Sequence, residues 1–292
     1  MTSAAGVPRV GVVFRPQLPP ERLREVVTAA EAAGLDDVWL WEDCFREGGL
    51  TSAAAALSWT RSVRVGIGLL PVPLRNPALA AMEIATLARL FPGRFAPAAG
   101  HGVLDWMAQV GARATSPLTL LGEWVTAVRA LLHGETVSSQ GDYVRLDQVA
   151  LDWPPDVAPP LLVGARGPRT LALAGALADG MILDAGITLA GVGQAIAAAA
   201  ATRPHEVVVY LPSGAGPHAR ELTEAELPAS AVPLAERAAL GSPAEVAATI
   251  RAFARAGATT VILQPAGTDT DMAGLTGLAA AARALLSGPG GG

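Results

Sequence analysis

The chain has 292 residues, of which 51% are hydrophobic, and a formal net charge of −5 at pH 7. Its basic residues form no block, so we expect no nucleic-acid binding. No run of about 18 uninterrupted apolar residues occurs, which predicts no membrane-spanning helix and no membrane association. The first residues show no secretory pattern, and a single cysteine cannot form an internal disulfide, so we expect a cytoplasmic protein.

Short runs typical of β-strands alternate with longer helical runs along the whole chain. The predicted strands are Val10–Phe14, Asp37–Trp41, Val63–Leu69, Arg94–Ala99, Leu161–Gly164, Gly180–Leu183, Glu206–Leu211 and Thr259–Leu263. The clearest predicted helices are Pro20–Ala33, Pro77–Leu90, Pro117–His133, Pro168–Ala178 and Pro243–Ala256. Each of these helices opens with proline, whose missing N–H costs nothing in a first helical turn.

Eight βα units predict an α/β fold in which a parallel sheet closes into a (β/α)8 TIM barrel. A doubly wound open sheet is the alternative, but such sheets usually carry G-x-G-x-x-G after the first strand. Here the first strand is followed by Arg15, Pro16 and Gln17. We therefore favour the barrel, as a single domain over residues 1–292.

Three stretches interrupt the alternation. Residues 135–153 alternate polar and apolar around a central Gly-Asp, which predicts a β-hairpin outside the barrel, between the fourth and fifth units. Residues 212–233 are rich in Pro, Gly, Ser and Glu and predict a long variable loop on the seventh unit. Residues 287–292 read SGPGGG and predict a flexible tail.

Two acids and the only cysteine follow the second strand, where the core stops. In TIM barrels the C-terminal ends of the strands face the reaction site, so this corner is a candidate site. Because strand side chains alternate, Glu42 and Asp43 cannot both face a pocket, and we expect one to brace the structure through an arginine. The acids should raise the pKa of Cys44, which favours a pocket-lining residue or weak proton donor over a nucleophile.

The corner after the fifth strand reads Gly164-Ala165-Arg166-Gly167 and leads into a helix. Glycines allow a ligand to approach the backbone closely, and free N–H groups at a helix start together with Arg166 and Arg169 suit a phosphate. The alternative is an ordinary tight turn with two surface arginines.

His101 lies between Gly100 and Gly102 after the fourth strand. Its imidazole could donate a proton, donate a hydrogen bond or bind a metal, or it could simply occupy a turn. The sequence shows no cluster of His, Asp and Glu with convincing metal-ligand spacing, so we predict no metal site.

Several stretches, taken in order, resemble one family. They are AEAAGLDDVWLWED, VRVGIGLLPVPLRNPALAAMEIATLARLFPGRF, GHG, PPLLVGARGPRTLALAGALADGMIL and GSPAEVAATIRAFARAGATTVIL. Their order and spacing, from Val10 to about Leu263, are similar to those of the bacterial-luciferase-like superfamily of flavin- and deazaflavin-dependent oxidoreductases. The resemblance implies a (β/α)8 barrel, usually dimeric, that holds FMN or the 5-deazaflavin coenzyme F420 at its C-terminal face. WLWED and GLLPVPLRNPA look closer to the F420-dependent branch.

The resemblance also implies roles for single residues. It matches Asp43 to an acid that contacts the deazaflavin ring, and Ile67–Gly68 to a non-proline cis peptide behind that ring. The cofactor-binding residues that it implies are Asp43, Ile67, Gly68, Gly100, His101, Gly164, Ala165, Arg166 and Gly167.

Two positions depart from the sugar-phosphate dehydrogenases of the F420 branch. Cys44 stands where those enzymes carry a catalytic histidine, and Val103 stands where they carry a glutamate. The acid–base pair that oxidises a sugar is therefore missing, and a sugar phosphate is not the expected substrate.

The implied activity is hydride transfer between F420 and a small organic substrate with a C=C, C=N or alcohol/carbonyl group. His101 is the first candidate proton donor, Cys44 and Asp43 are further catalytic candidates, and Arg15 could orient an acidic substrate. The expected substrate wall is Trp41, Phe45, Leu70 and Trp106. The alternatives are an FMN-dependent monooxygenase and a non-catalytic cofactor-binding homologue.

Overall fold

The computed structural model describes residues 6–227, 229–267 and 271–286. Its strands are β1 Arg9–Phe14, β2 Asp37–Leu40, β3 Arg64–Pro71, β4 Phe95–Gly100, β5 Val137–Gln140, β6 Arg145–Val149, β7 Leu162–Gly164, β8 Gly180–Leu183, β9 Glu206–Ser213 and β10 Thr260–Pro265. Its helices are α1 Leu23–Ala32, α2 Gly49–Trp59, α3 Pro77–Leu90, α4 Leu104–Gln109, α5 Pro117–Leu132, α6 Pro168–Leu177, α7 Leu189–Ala199, α8 Ala219–Glu226, α9 Pro243–Arg255 and α10 Met272–Leu286.

Eight of the strands close into a parallel barrel in the order β1-β10-β9-β8-β7-β4-β3-β2. Closure is complete because β1 pairs with both β10 and β2. The predicted barrel is confirmed, and every predicted barrel strand agrees with an observed one to within two residues at each end. Strands β5 and β6 pair antiparallel in a separate sheet, which confirms the predicted hairpin.

Apolar side chains fill both the inside of the barrel and the layer between the strands and the helices. The inner cluster contains Trp39, Ile182, Val208 and Tyr210, among others. Gly66 makes room for the Trp39 ring, because a Cβ at that position would lie 2.4 Å from Trp39 Cδ2. None of the helices described here is both long and apolar enough to cross a membrane.

The segment predicted as a long loop, residues 212–233, contains a helix. Strand β9 extends to Ser213, and α8 occupies Ala219–Glu226, so the prediction of irregular structure throughout is corrected there. The helix buries Thr223 and carries an Arg220–Glu224 ion pair on its exposed side. The predicted tail at 287–292 lies outside the described residues, and the assignment of the whole chain to one domain stays a prediction.

A buried ion network joins five strands at the N-terminal end of the barrel. Arg64 Nε donates to Asp37 Oδ1 at 2.8 Å, and its second terminal nitrogen donates to Glu206 Oε1 at 2.6 Å. Arg9 adds a bond of 2.9 Å to Asp37, and Thr260 donates to Glu206 at 2.8 Å. Burial alone would raise the pKa of Glu206, but hydrogen bonds from Arg64 and Thr260 lower it overall. The network holds the strand starts together, opposite the end where a barrel binds its ligand.

Replacing Arg64 should destabilise the fold strongly. Its side chain is only 8% exposed, and Arg64→Ala would leave Asp37 and Glu206 buried without their main partner. Breaking such a buried pair typically costs about 3–5 kcal/mol. Urea denaturation should show a lower midpoint, and the free energy of unfolding obtained from it should fall by that amount. Arg22→Ala, which removes an exposed pair with Glu25, should leave the midpoint unchanged, and an equal shift in both variants would refute the role given to Arg64.

Candidate active site

A pocket of about 770 Å³ opens at the C-terminal ends of the barrel strands. That volume is in the usual range for sites that bind small molecules and cofactors. Asp43, which follows β2, and Arg166, which follows β7, both line it. The two corners that the sequence singles out therefore meet in one pocket.

Nine of the predicted site residues line this pocket. They are Trp41, Asp43, Gly68, His101, Trp106, Gly164, Ala165, Arg166 and Gly167. They come from the corners after β2, β3, β4 and β7, which are neighbours in the barrel order. Their assigned roles stay predictions, but the fold brings them together.

Six other predicted residues do not line the pocket. Ile67 and Leu70 are fully buried in the cluster between strands and helices, and Phe45 is 65% exposed on the surface. Gly100 ends β4 behind Leu69, where a Cβ would lie 2.4 Å from Leu69 Cδ2. The remaining two, Cys44 and Arg15, lie near the pocket without contributing to its wall.

Glu42 is the acid that braces the corner after β2. Its carboxylate accepts hydrogen bonds from both terminal nitrogens of Arg75, one of them at 2.6 Å. It also accepts from the backbone N–H of Gly49 at 2.6 Å, at the start of α2. The expectation that one of the two acids pairs with an arginine is borne out. The expectation that only one of them can face the pocket is wrong, because β2 ends at Leu40 and both acids, which lie beyond the strand, line the pocket.

The Asp43 side chain lines the pocket and is partly buried. Burial raises its pKa, against the opposing charges of Arg46 and Arg15. Burial also raises the pKa of the adjacent Cys44 thiol, and the charges of Glu42 and Asp43 add to that shift. Cys44 is therefore a neutral thiol at pH 7, which agrees with the argument against a nucleophilic role.

Arg15 is already engaged by the protein, so its predicted contact with an acidic substrate needs correction. Its Nη1 donates to Glu226 at 2.7 Å and to the carbonyl oxygen of Pro265 at 2.9 Å. Its guanidinium lies 5.7 Å from the centre of the Trp41 ring. Arg15 thus links α8 to the barrel edge and contacts Trp41.

His101 faces the pocket as a neutral imidazole. Its Nε2 lies 3.4 Å from the hydroxyl of Thr170, in the first turn of α6. Burial lowers its pKa, and the backbone carbonyl of Pro117 opposes that shift only in part. Because the ordinary histidine pKa is about 6.5, the ring is mostly uncharged at pH 7.

The non-proline cis peptide lies one residue later than predicted, at Gly68–Leu69 rather than Ile67–Gly68. The pairing of β3 with β4 is regular through Ile67, which faces Pro97, and resumes at Leu70, which faces Ala99. The irregular residues are therefore Gly68 and Leu69, and both line the pocket. A second non-proline cis peptide joins Cys44 to Phe45.

Tyr210 is the main site residue that the sequence reading missed. It lies on β9, is 3% exposed, and lines the floor of the pocket, where burial raises the pKa of its phenol. A Cβ on Gly68 would lie 2.0 Å from the Tyr210 hydroxyl, so the two residues fit only because position 68 has no side chain. A tyrosine at an inward position of a barrel strand was the available signal. Other lining residues not predicted as site residues are Glu42, Leu69, Pro71, Gly102, Val103, Thr170, Ile182, Asp184, Ala185 and Gln264.

The corner after β7 has the features of an anion site. Helix α6 starts directly after it, with Gly167 as its N-cap and Pro168 in its first turn. Nothing lies within 4 Å of the position that a Cβ on Gly167 would take, so the space above the helix start is open. Arg166 is 83% exposed and forms an ion pair with Asp184, which follows β8. These residues fit a phosphate group, which would compete with Asp184 for Arg166.

No group of three or more metal-ligating side chains occurs in the described part of the chain.

The contact between Gly68 and Tyr210 predicts a rescue experiment. Gly68→Ala places a methyl group 2.0 Å from the Tyr210 hydroxyl and 3.0 Å from Ile182 Cδ1. Overpacking of this kind costs about 1–3 kcal/mol, measurable by urea denaturation. Adding Tyr210→Phe removes the nearest atom and should recover part of the loss.

The control for this experiment is Gly193→Ala on α7, where nothing lies within 4 Å of the added Cβ. That variant should be neutral or slightly stabilising, because alanine favours a helix over glycine. A double variant no more stable than Gly68→Ala would contradict the proposed contact.

Comparison with known proteins agrees with the geometry. A family model described as luciferase-like monooxygenase matches residues 8–214. A 5,10-methylenetetrahydromethanopterin reductase from Methanolobus tindarius is 30% identical over 177 residues, 60% of this chain and 53% of that protein. An F420-dependent glucose-6-phosphate dehydrogenase from Nakamurella multipartita is 32% identical over 193 residues, 58% of this chain and 54% of that protein. The match thus spans about half the length of these curated relatives.

Among solved structures, an F420-dependent secondary alcohol dehydrogenase in complex with an F420-acetone adduct is similar over 95% of this chain and 99% of its own. The TM-score is 0.81 at 22% sequence identity, which shows a shared fold. The resemblance seen in the sequence motifs is therefore confirmed. Because the family model matches well over half of its length, this chain belongs to the luciferase-like monooxygenase family.

Proposed function

We propose that this protein is an oxidoreductase that transfers a hydride between coenzyme F420 and a small organic substrate. The observation that carries the proposal is the single pocket that joins the Asp43 corner to the anion corner at Arg166. The F420-dependent dehydrogenase among its relatives and the F420-dependent alcohol dehydrogenase of the same fold support this choice of cofactor.

Different residues of the pocket would bind different parts of such a cofactor. The start of α6, with Arg166 and the backbone of Gly167, would hold the phosphate, and Gly68, Leu69 and Tyr210 would hold the ring. When bound, the deazaflavin would supply or accept the hydride, and the protein would orient the two reactants. Asp43, which lines the pocket after β2, would contact the ring.

His101 is the proposed proton carrier. Oxidation of an alcohol removes a hydride from carbon and a proton from oxygen, and a neutral imidazole can accept that proton. In the reverse direction, the protonated ring returns the proton to the carbonyl oxygen. The Thr170 hydroxyl lies 3.4 Å from Nε2, the ring nitrogen nearest to it.

An FMN-dependent monooxygenase is the second candidate, because the matching family is described as luciferase-like monooxygenase. The same anion corner would take the phosphate of FMN. A non-catalytic homologue is the third candidate, and it would bind the cofactor without hydride transfer to any substrate.

A homodimer and a cytoplasmic location complete the proposal. The family resemblance supports the dimer, and helix α3 exposes Leu79, Met82 and Leu90, which give it an apolar surface. The single cysteine supports a reducing compartment.

Titration with each cofactor tests the proposal directly. Trp41 and Trp106 line the pocket, so intrinsic fluorescence should report binding, and we expect F420 to bind more tightly than FMN. Arg166→Ala should weaken F420 binding about 10- to 100-fold, because a charge-assisted hydrogen bond contributes about 1.5–3 kcal/mol. Arg145→Ala, on the exposed face of the hairpin, is the control and should leave the affinity unchanged. Tight binding of FMN without binding of F420 would overturn the F420 assignment in favour of the monooxygenase.

The pH dependence of alcohol oxidation tests His101. Burial lowers its pKa below about 6.5, so the rate should be constant above that pH and fall as the ring becomes protonated at lower pH. His101→Asn should lower kcat about 10²- to 10⁴-fold and remove the acid limb, while F420 affinity is retained. The exposed His133→Asn should keep the wild-type profile. An acid limb that persists in His101→Asn would clear His101 of this role.

A further inference from the structure

We infer that the pocket takes a largely apolar substrate that carries no anionic group and reacts at a carbonyl or hydroxyl group. This inference rests on the proposed function and names its substrate class. The pocket has two parts, defined by the strands that they follow. The phosphate half follows β7 and β8 and contains Arg166, and the substrate half follows β2, β3 and β4 and contains Asp43, His101 and Val103.

Charge distinguishes the two halves. All 21 basic residues of the chain are arginines, and among the described lining residues Arg166 is the only one of them. The substrate half contributes the carboxylates of Glu42 and Asp43. An anionic group placed there would meet like charge without a cationic partner, and burial of an unpaired charge is costly.

The arginines behind the substrate half are committed to other partners. Arg75 is paired with Glu42, and Arg15 with Glu226 and the carbonyl oxygen of Pro265. Arg46 donates to the carbonyl oxygen of Pro16 at 3.0 Å. Each of them contacts the protein itself, and none of these three is among the residues that line the pocket.

Apolar surface covers the rest of the substrate half. Trp41, Pro71, Val103 and Trp106 line it, and Val103 remains 46% exposed at its edge. Contact with such walls stabilises an apolar molecule by about 25 cal/mol for each Å² removed from water. A sugar, which carries a hydroxyl on almost every carbon, would leave most of its polar groups facing these side chains.

Polar atoms of the pocket wall remain available for a substrate oxygen. Nδ1 of His101, Nε1 of Trp41 and the Tyr210 hydroxyl are buried and make no hydrogen bond of good geometry within the described residues. Nε2 of His101 faces Thr170 at 3.4 Å, a long contact that a substrate oxygen could replace. The imidazole suits the carbonyl or hydroxyl oxygen at which the substrate reacts.

A matched set of alcohols tests the charge preference. With the F420-loaded protein, kcat/KM is compared for 1-phenylethanol, its 4-carboxylate and its 4-aminomethyl derivative, which share the reacting carbon. In each reaction the hydride passes to oxidised F420 and the hydroxyl proton passes to His101. We expect the neutral alcohol to exceed the anion by at least about tenfold, because the anion loses hydration without a cation in the lining of the substrate half, whereas the cation can pair with Asp43.

Binding of the corresponding ketones gives a readout independent of turnover. Quenching of Trp41 and Trp106 in the full chain without cofactor should show the neutral ketone bound more tightly than the carboxylate. A carboxylate that binds, or reacts, as well as the neutral molecule overturns the inference. Loss of F420 binding with retained preference for the neutral ketone would instead overturn only the proposed function.

A designed charge provides a gain-of-function control. Val103→Lys places a cation at the edge of the substrate half and should raise the anion-to-neutral ratio about fivefold. Val103→Leu keeps the site apolar and should leave that ratio at the wild-type value. A ratio that fails to rise in Val103→Lys, while F420 affinity is normal, would show that Val103 does not face the substrate.

Discussion

Hydrogen bonds between β1 and β10 join the first and last strands of the barrel, in register from Arg9 opposite Thr260 to Val12 opposite Leu263. Because all the barrel strands run parallel, this closure brings their C-terminal ends to one mouth. Residues more than 100 positions apart, such as Asp43 and Arg166, then line one pocket. The Arg64 network at the opposite end holds the strand starts, so binding and stability are separated along the barrel axis.

Features that depend on local pattern could be predicted from the sequence. The alternation of strands and helices gave the barrel, since each βα unit carries its own apolar period and its own Pro or Gly at the helix ends. The corner at Gly164–Gly167 was visible because a phosphate-binding helix start needs small residues and an arginine in consecutive positions. Glu42 and Asp43 were visible as two acids directly after a buried strand, and the family resemblance then pointed to Asp43.

Features that depend on distances across the barrel could not be predicted in this way. Tyr210 belongs to the site because it lies against Gly68, and those two residues are far apart in sequence. The sequence indicated no partner for Arg15, but in the fold its guanidinium donates hydrogen bonds to Glu226 and to the carbonyl oxygen of Pro265. The sequence reading missed helix α8 because its amphipathic run is short. The Pro and Gly residues around it led to the prediction of a loop. The displaced cis peptide reflects the register between β3 and β4, which sequence spacing does not fix.

The segment from 214 to 238 leaves and rejoins the barrel at nearly the same point. Ser213 pairs with Ala239, and the Ser213 hydroxyl donates to the Ala239 carbonyl at 2.6 Å, so this excursion is closed at its base. Doubling the length of a loop that is already closed adds only about 0.6 kcal/mol of entropic cost. Evolution can therefore lengthen, shorten or rewrite this excursion while the barrel and its anion corner stay unchanged, which makes it the natural place for related chains to diverge in specificity.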